Sequence, residues 1–108
     1  MVKNFITFDE LLKLRPIDEK KMKKHAKKMI AISRGFSLAE IRKSMKLTQV
    51  QVAKKIGVDQ SNVSRIESGK FSSTEIGTLQ AYVEALGGEL EIYAKINKKI
   101  IKLTDNRI

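Results

Sequence analysis

Val52, Ala53 and Ile56 fall at i, i+1 and i+4 and share one helical face, while Gln49, Gln51, Lys54 and Lys55 point elsewhere. Such a face must pack against something. Gly57 can take the left-handed conformation that ends a helix, and Asp59 can cap the next by accepting from the N–H groups of its first turn. Val63 and Ile66, at i and i+3, then anchor a second helix on the first. Small Ala53 permits the close approach needed for a crossing of about 90–120° through a short turn. The outward row is left with Gln60, Ser61, Ser64, Arg65 and Ser68, residue types able to hydrogen-bond to base edges and phosphates, with no carboxylate among them. Paired amphipathic helices about a glycine also occur in small helical proteins with no such role, so spacing alone leaves both readings open.

Elsewhere the pattern predicts helices over about 8–14, 19–34, 38–46, 60–68 and 75–86, beside the one over 49–56. Thr7–Glu10, Ser37–Glu40, Thr48–Gln51 and Ser72–Glu75 each have the S/T-x-x-E/Q form, in which cap and third helical residue satisfy each other's backbone donors. Pro16 separates the first two helices, and Gly35 is read as closing the second. In the last helix Ile76, Leu79, Val83 and Leu86 form the expected buried stripe, and Gly87-Gly88 stop it. The period then changes. From Glu89 to Ile96, apolar Leu90, Ile92, Ala94 and Ile96 alternate with Glu89, Glu91, Tyr93 and Lys95, as in a half-buried strand. Asn97-Lys98 can turn the chain and residues 99–103 can return, with 104–108 fraying.

The expected organisation is a mostly α chain with a short C-terminal β-hairpin, divided as an N-terminal helical extension over 1–36, a helix-turn-helix domain over 37–86 and the hairpin over 87–108. Two strands alone are marginal and leave edges unpaired, so the hairpin must lie on its own helices or pair with a second copy. The second option is favoured, because a two-fold dimer matches two half-sites one DNA turn apart.

Composition narrows the function. The formal net charge is +10, with ten cations against four anions in residues 1–34 and seven against three in 35–70. That is the electrostatic footprint of a nucleic-acid binder, although it also suits a membrane-surface protein. Lys20, Lys21, Lys23, Lys24, Lys27 and Lys28 surround a thin apolar line of Met22, Ala26, Met29 and Ile30, a poor membrane anchor without Trp, Phe or Leu. A solvated or partner-binding helix is the better reading of that stretch. The six aromatics are scattered, not arrayed as a platform for stacking bases, which sets RNA behind DNA. No cysteine and a single histidine, His25, argue against a metal centre or a His-based catalytic cluster, and no Gly-rich phosphate loop occurs. Neither an enzyme nor a cofactor is expected. The N-terminus lacks a signal-peptide core and no stretch is long and apolar enough to span a bilayer, so no membrane is expected and the expected location is cytoplasmic.

The run from Ile41 to Gly69, IRKSMKLTQVQVAKKIGVDQSNVSRIESG, closely resembles the Cro and phage-repressor type helix-turn-helix, the XRE family. That resemblance implies a lambda-repressor-like domain, with Lys46 departing from the family's usual glycine. By position in the motif it implies that Gln49 bonds a phosphate and braces Gln60. It further implies that Gln60 and Ser61 face base edges, that Arg65 reaches guanine or phosphate, and that Asn62, Ser64, Lys70 and Ser72 hold the DNA backbone. It also implies a structural ion pair between Arg42 and Glu67 beneath the reading helix. The wider arrangement, ending in TLQAYVEALGGELEIYAKI, is similar to the HigA-like antitoxins of that family. This implies a dimeric operator-binding autorepressor that neutralises an RNA-cleaving HigB-like toxin; the alternative is a free-standing XRE-family repressor with no toxin partner.

Overall fold

The structure is a computed structural model and describes residues 18–105. Its elements are α1 (Glu19–Ser44), α2 (Gln49–Ile56), α3 (Gln60–Glu67), a single 3-10 turn (Phe71–Ser73), α4 (Ile76–Ala85), β1 (Tyr93–Ile96) and β2 (Lys99–Lys102). The expected helix over 8–14, its Thr7–Glu10 box and the break at Pro16 lie outside the described residues. The chain forms two compact units, Met1–Ile30 and Ala31–Ile108. Within the first, the described turns of α1 expose all six lysines of the basic stretch along with Met29 and Ile30, and Met22 is half-buried.

In the second unit the largest departure from expectation concerns α1. It runs unbroken to Ser44, so Gly35 does not close a helix and Ser37 does not open one. Ser37 Oγ instead donates to the Ser33 carbonyl oxygen at 3.1 Å, a bond back along the helix. Gly35, Ala39 and Arg42 recur every third or fourth residue and are buried together. Gly35 is there because residues 67–69 press their backbone against it, leaving no room for a side chain. The helix ends through Lys46, whose φ of 59° is left-handed, so a lysine occupies the backbone conformation that glycine adopts without cost.

α2 starts as expected. Thr48 Oγ1 accepts from the Gln51 amide at 3.1 Å, and the Gln51 side chain accepts from the Thr48 amide at 2.8 Å. Gly57, at φ 74°, ends α2. Asp59 does stand at the N-cap of α3, but its side chain makes no capping bond. The Ser72–Glu75 box is also absent: Ser72 lies in the 3-10 turn and Glu75 caps α4 by backbone position alone.

The core is Val52 and Ala53 of α2, Val63 and Ile66 of α3 and Tyr82 of α4, bordered by Leu38, Leu47, Phe71, Leu79, Val83 and Leu86. Two details of the α4 stripe are corrected. Ile76, the first residue of α4, is exposed, and fully buried Tyr82 takes the central place. β1 and β2 pair antiparallel in the register Tyr93↔Lys102 to Ile96↔Lys99, joined by Asn97 and Lys98, both with positive φ. Leu90, Ile92 and Ala94 are half-buried and their neighbours exposed, as the alternation requires. β1 starts later than expected, at Tyr93: Ile92 O still accepts from Leu103 N, but Ile92 N donates to the Thr104 side chain in place of a backbone partner. Beyond Ala94, Ile96, Ile100, Ile101 and Leu103 stand in solvent.

Candidate nucleic-acid interface

α2 and α3 meet through Val52, Ala53, Val63 and Ile66, and this burial turns the opposite face of α3 outward. Gln60, Ser61, Ser64 and Arg65 are all exposed, and helical spacing puts them on one side. Asn62 sits at the edge of that row, half-buried, its Oδ1 accepting from Arg65 Nη1 at 3.4 Å. Lys70 is exposed just past the helix. Ser68 turns back, donating to the Ser64 carbonyl at 2.8 Å, and so contributes less to the row than its spacing suggests. Thr74 and Ser73 both donate to the Lys70 carbonyl, which stiffens the turn that carries Lys70.

Glu67, the only carboxylate of α3, points inward, its side chain 4% exposed. Arg42 meets it with two bonds, Nε to Oε2 at 2.7 Å and Nη2 to Oε1 at 2.9 Å, while Nη1 donates to the Leu47 carbonyl at 2.6 Å. This is the bidentate fork in which guanidinium and carboxylate bind most strongly. Tyr82 donates its hydroxyl to Glu67 Oε2 at 2.7 Å, and Gln49 donates Nε2 to Oε1 at 3.0 Å. Burial alone would raise the Glu67 pKa, but the bonds from Arg42, Tyr82 and Gln49 outweigh it and hold the carboxyl below its usual range. The hydrogen bond to Glu67 raises Arg42, and burial, then the bond to Glu67, pushes the Tyr82 phenol far up. Among the described residues no buried side-chain nitrogen or oxygen lacks a hydrogen-bond partner.

The Arg42–Glu67 pair therefore has the geometry that its motif positions implied. Tyr82 is the member that sequence reasoning missed. Its signal was present, since it falls between Leu79 and Val83 on the apolar side of α4, but nothing local points from Tyr82 to Glu67. Gln60 Nε2 donates to Gln49 Oε1 at 3.2 Å, so the two glutamines meet as expected. No group of three or more metal-ligating side chains gathers among the described residues, and His25 remains on the exposed lysine-rich turns.

Two short crossed helices, one buried-carboxylate clamp and an outward polar row together make a helix-turn-helix module. The helix-turn-helix family model matches residues 38–93. The chain is 38% identical over 98 residues, covering 91% of this chain and 97% of the relative, to the Mycobacterium tuberculosis protein named "Putative antitoxin HigA2". It is 53% identical over 68 residues, 62% of each chain, to "Putative antitoxin HigA3" of the same organism. A solved structure described as "DNA bound antitoxin HigA3" is 49% identical, with 65% of this chain and 91% of that one covered and a TM-score of 0.49. Another, described as "Induced DNA bending by unique dimerization of HigA antitoxin", is 52% identical over 63% of this chain and 91% of that one, with a TM-score of 0.45. The chain belongs to the HigA-type antitoxins of the helix-turn-helix family, which are regulators and not enzymes.

Proposed function

We propose that the protein binds its own operator as a homodimer, represses its operon and neutralises a cognate RNA-cleaving, HigB-like toxin in the cytoplasm. The observation that carries the DNA-binding part is the outer face of α3: Gln60, Ser61, Ser64 and Arg65 exposed, with the only acidic side chain of that helix turned inward. A carboxylate on this face would repel phosphate, and glutamine and arginine there match the edges of adenine and guanine. Gln60, Ser61 and Arg65 are the base-facing side chains in this reading. Gln49, Asn62, Ser64 and Lys70 hold phosphates.

By role, residues 1–36 are an extension, 37–86 the reading domain and 87–108 the dimerising hairpin. Support for the last is physical: a two-stranded sheet carrying Ile96, Ile100, Ile101 and Leu103 in solvent has open edges and uncovered apolar surface. The toxin role rests on kinship with the HigA-type antitoxins.

A mobility-shift titration with the DNA upstream of the reading frame tests the first part. A specific complex is expected, weakening by about 10³- to 10⁵-fold between roughly 50 and 200 mM salt if the dimer makes about six to ten phosphate contacts. A shift no tighter than that of scrambled DNA would refute it. Co-expression with the neighbouring reading frame tests the second: rescue from that frame's toxicity supports the antitoxin role, and its absence favours a repressor without a toxin partner.

A further inference from the structure

We propose that Glu67 is a positioning residue that sets which base Gln60 prefers, by fixing the direction of the Gln60 amide through Gln49. The inference rests on the DNA-reading role of Gln60 proposed above. An ionised carboxylate offers acceptors only, with room for about four donors. Arg42 Nη2 and Gln49 Nε2 occupy Oε1, and Arg42 Nε and the Tyr82 hydroxyl occupy Oε2. Gln49 must therefore turn its NH2 inward, because its carbonyl oxygen facing Glu67 would set acceptor against acceptor and forfeit the bond. This follows from the chemistry of a carboxylate, whichever way the amide is first drawn.

With one N–H committed inward, Gln49 shows Oε1 to α3, where only a donor can meet it, and its second N–H remains for phosphate. Gln60 meets it with Nε2 at 3.2 Å. One amide hydrogen of Gln60 is thereby used, and its second N–H and its Oε1 remain, in a fixed order along the outer face. Adenine presents an acceptor, N7, beside a donor, N6, in the major groove. An amide held in one direction matches that pair, and the same amide turned over sets oxygen against N7 and nitrogen against N6. A glutamine free to turn adapts to either order and discriminates less. The relay runs from a buried ion pair to the DNA face in two hydrogen bonds, and the residue that imposes the direction touches no base.

Two variants probe it. Gln49→Met removes the relay and leaves Arg42, Glu67 and Tyr82 paired; Glu67→Gln replaces an acceptor with an amide that can present either atom. Fluorescence anisotropy against the upstream DNA, and against duplexes carrying each single-base change in it, measures the preference, with a scrambled duplex as the non-specific reference. The wild type should favour adenine at one position by on the order of tenfold, and Gln60→Ala should abolish that. Both relay variants should bring it within about twofold; Glu67→Gln should leave affinity for the scrambled duplex unchanged, whereas Gln49→Met, which also loses a phosphate contact, should weaken both duplexes alike. In the free protein, the Gln60 side-chain NH2 resonances should be slow to exchange and become fast in Gln49→Met. Should Glu67→Gln fail to fold, the Gln49 side-chain NH2 resonances of the wild type carry that half of the test: slow exchange is expected from the bond to Glu67, and fast exchange overturns it. A folded Glu67→Gln, Gln49→Met or Gln60→Ala protein that keeps the full preference overturns the relay. A wild type that binds upstream and scrambled DNA equally overturns the DNA-reading role instead.

Discussion

Gly35 of α1 and Gly69, just beyond α3, lie backbone to backbone: a methyl group on Gly35 would sit 2.5 Å from the Gly69 nitrogen and 2.6 Å from the Glu67 carbonyl oxygen. Neither neighbour is a flexible side-chain tip that could move aside. Gly35→Ala must push α1 off the end of the reading helix, and overpacking of this kind costs about 1–3 kcal/mol. Thermal unfolding followed by circular dichroism should show a fall of several degrees, roughly 4–8 °C for each kcal/mol in a domain of this size. An unchanged midpoint would mean that the two backbones can part cheaply.

Arg42 and Glu67 are both almost fully buried, at 8% and 4% side-chain exposure. Removing either partner strands the other charge, and Glu67→Ala or Arg42→Ala should each cost about 3–5 kcal/mol by urea unfolding. The double variant should cost less than the sum of the two, since one loss already forfeits the pair. Strict additivity would show that the ion pair contributes no coupling.

Tyr82 and Glu67 give the network opposite pH limits. The Tyr82 phenol is raised above its ordinary 10.0 in the folded chain, so above that pH the unfolded chain gives up a proton that the folded chain keeps. Its contribution is fully present below pH 10.0 and declines as pH rises toward the folded value. Glu67 is lowered from 4.5, so its contribution is present above that pH and is lost as pH falls through the folded value. The stability gap between wild type and Tyr82→Phe should therefore narrow above pH 10.0, and the gap to Glu67→Gln below pH 4.5. Gaps that stay constant across those ranges would contradict the assignment.

Arg65 is exposed and donates Nη1 to Asn62 Oδ1 at 3.4 Å. Arg65→Ala should leave folding untouched and weaken the operator complex by about 1–3 kcal/mol if it reads a base. A loss equal on operator and scrambled DNA, with a shallower salt slope, would mark a phosphate contact.

Removing residues 89–108 should convert a dimer to a monomer by light scattering while residues 37–86 stay helical. A truncated chain that still dimerises would exclude the hairpin as the sole interface.

The helix-turn-helix itself was legible because its determinants are local. Thr48 and Gln51 lie three residues apart and cap each other, and Gly57 needs only its own backbone to end α2. Gly35 was misread because the sequence cannot say whether a glycine stops a helix or admits another backbone; residues 67–69 decide it from more than thirty positions away. The boxes at Ser37 and Ser72 fail for a related reason. Their side chains can cap, but α1 continues through the first, and a 3-10 turn takes the second. Gln60, Ser61, Ser64 and Arg65 could be placed on one face by spacing alone. Tyr82, which joins that face's support to α4, depends on packing among three helices and could not.

Asn97 and Lys98 both take left-handed backbone angles, 49° and 66°, which match the right-handed twist of the flanking strands and close the hairpin within a single chain. Each ribbon is thus complete before it meets another. In the proposed dimer the ordering entropy of the strands is settled during folding, and association joins finished surfaces without co-folding. A diluted sample should therefore hold folded monomers, and operator occupancy should follow protein concentration steeply where two such monomers must meet.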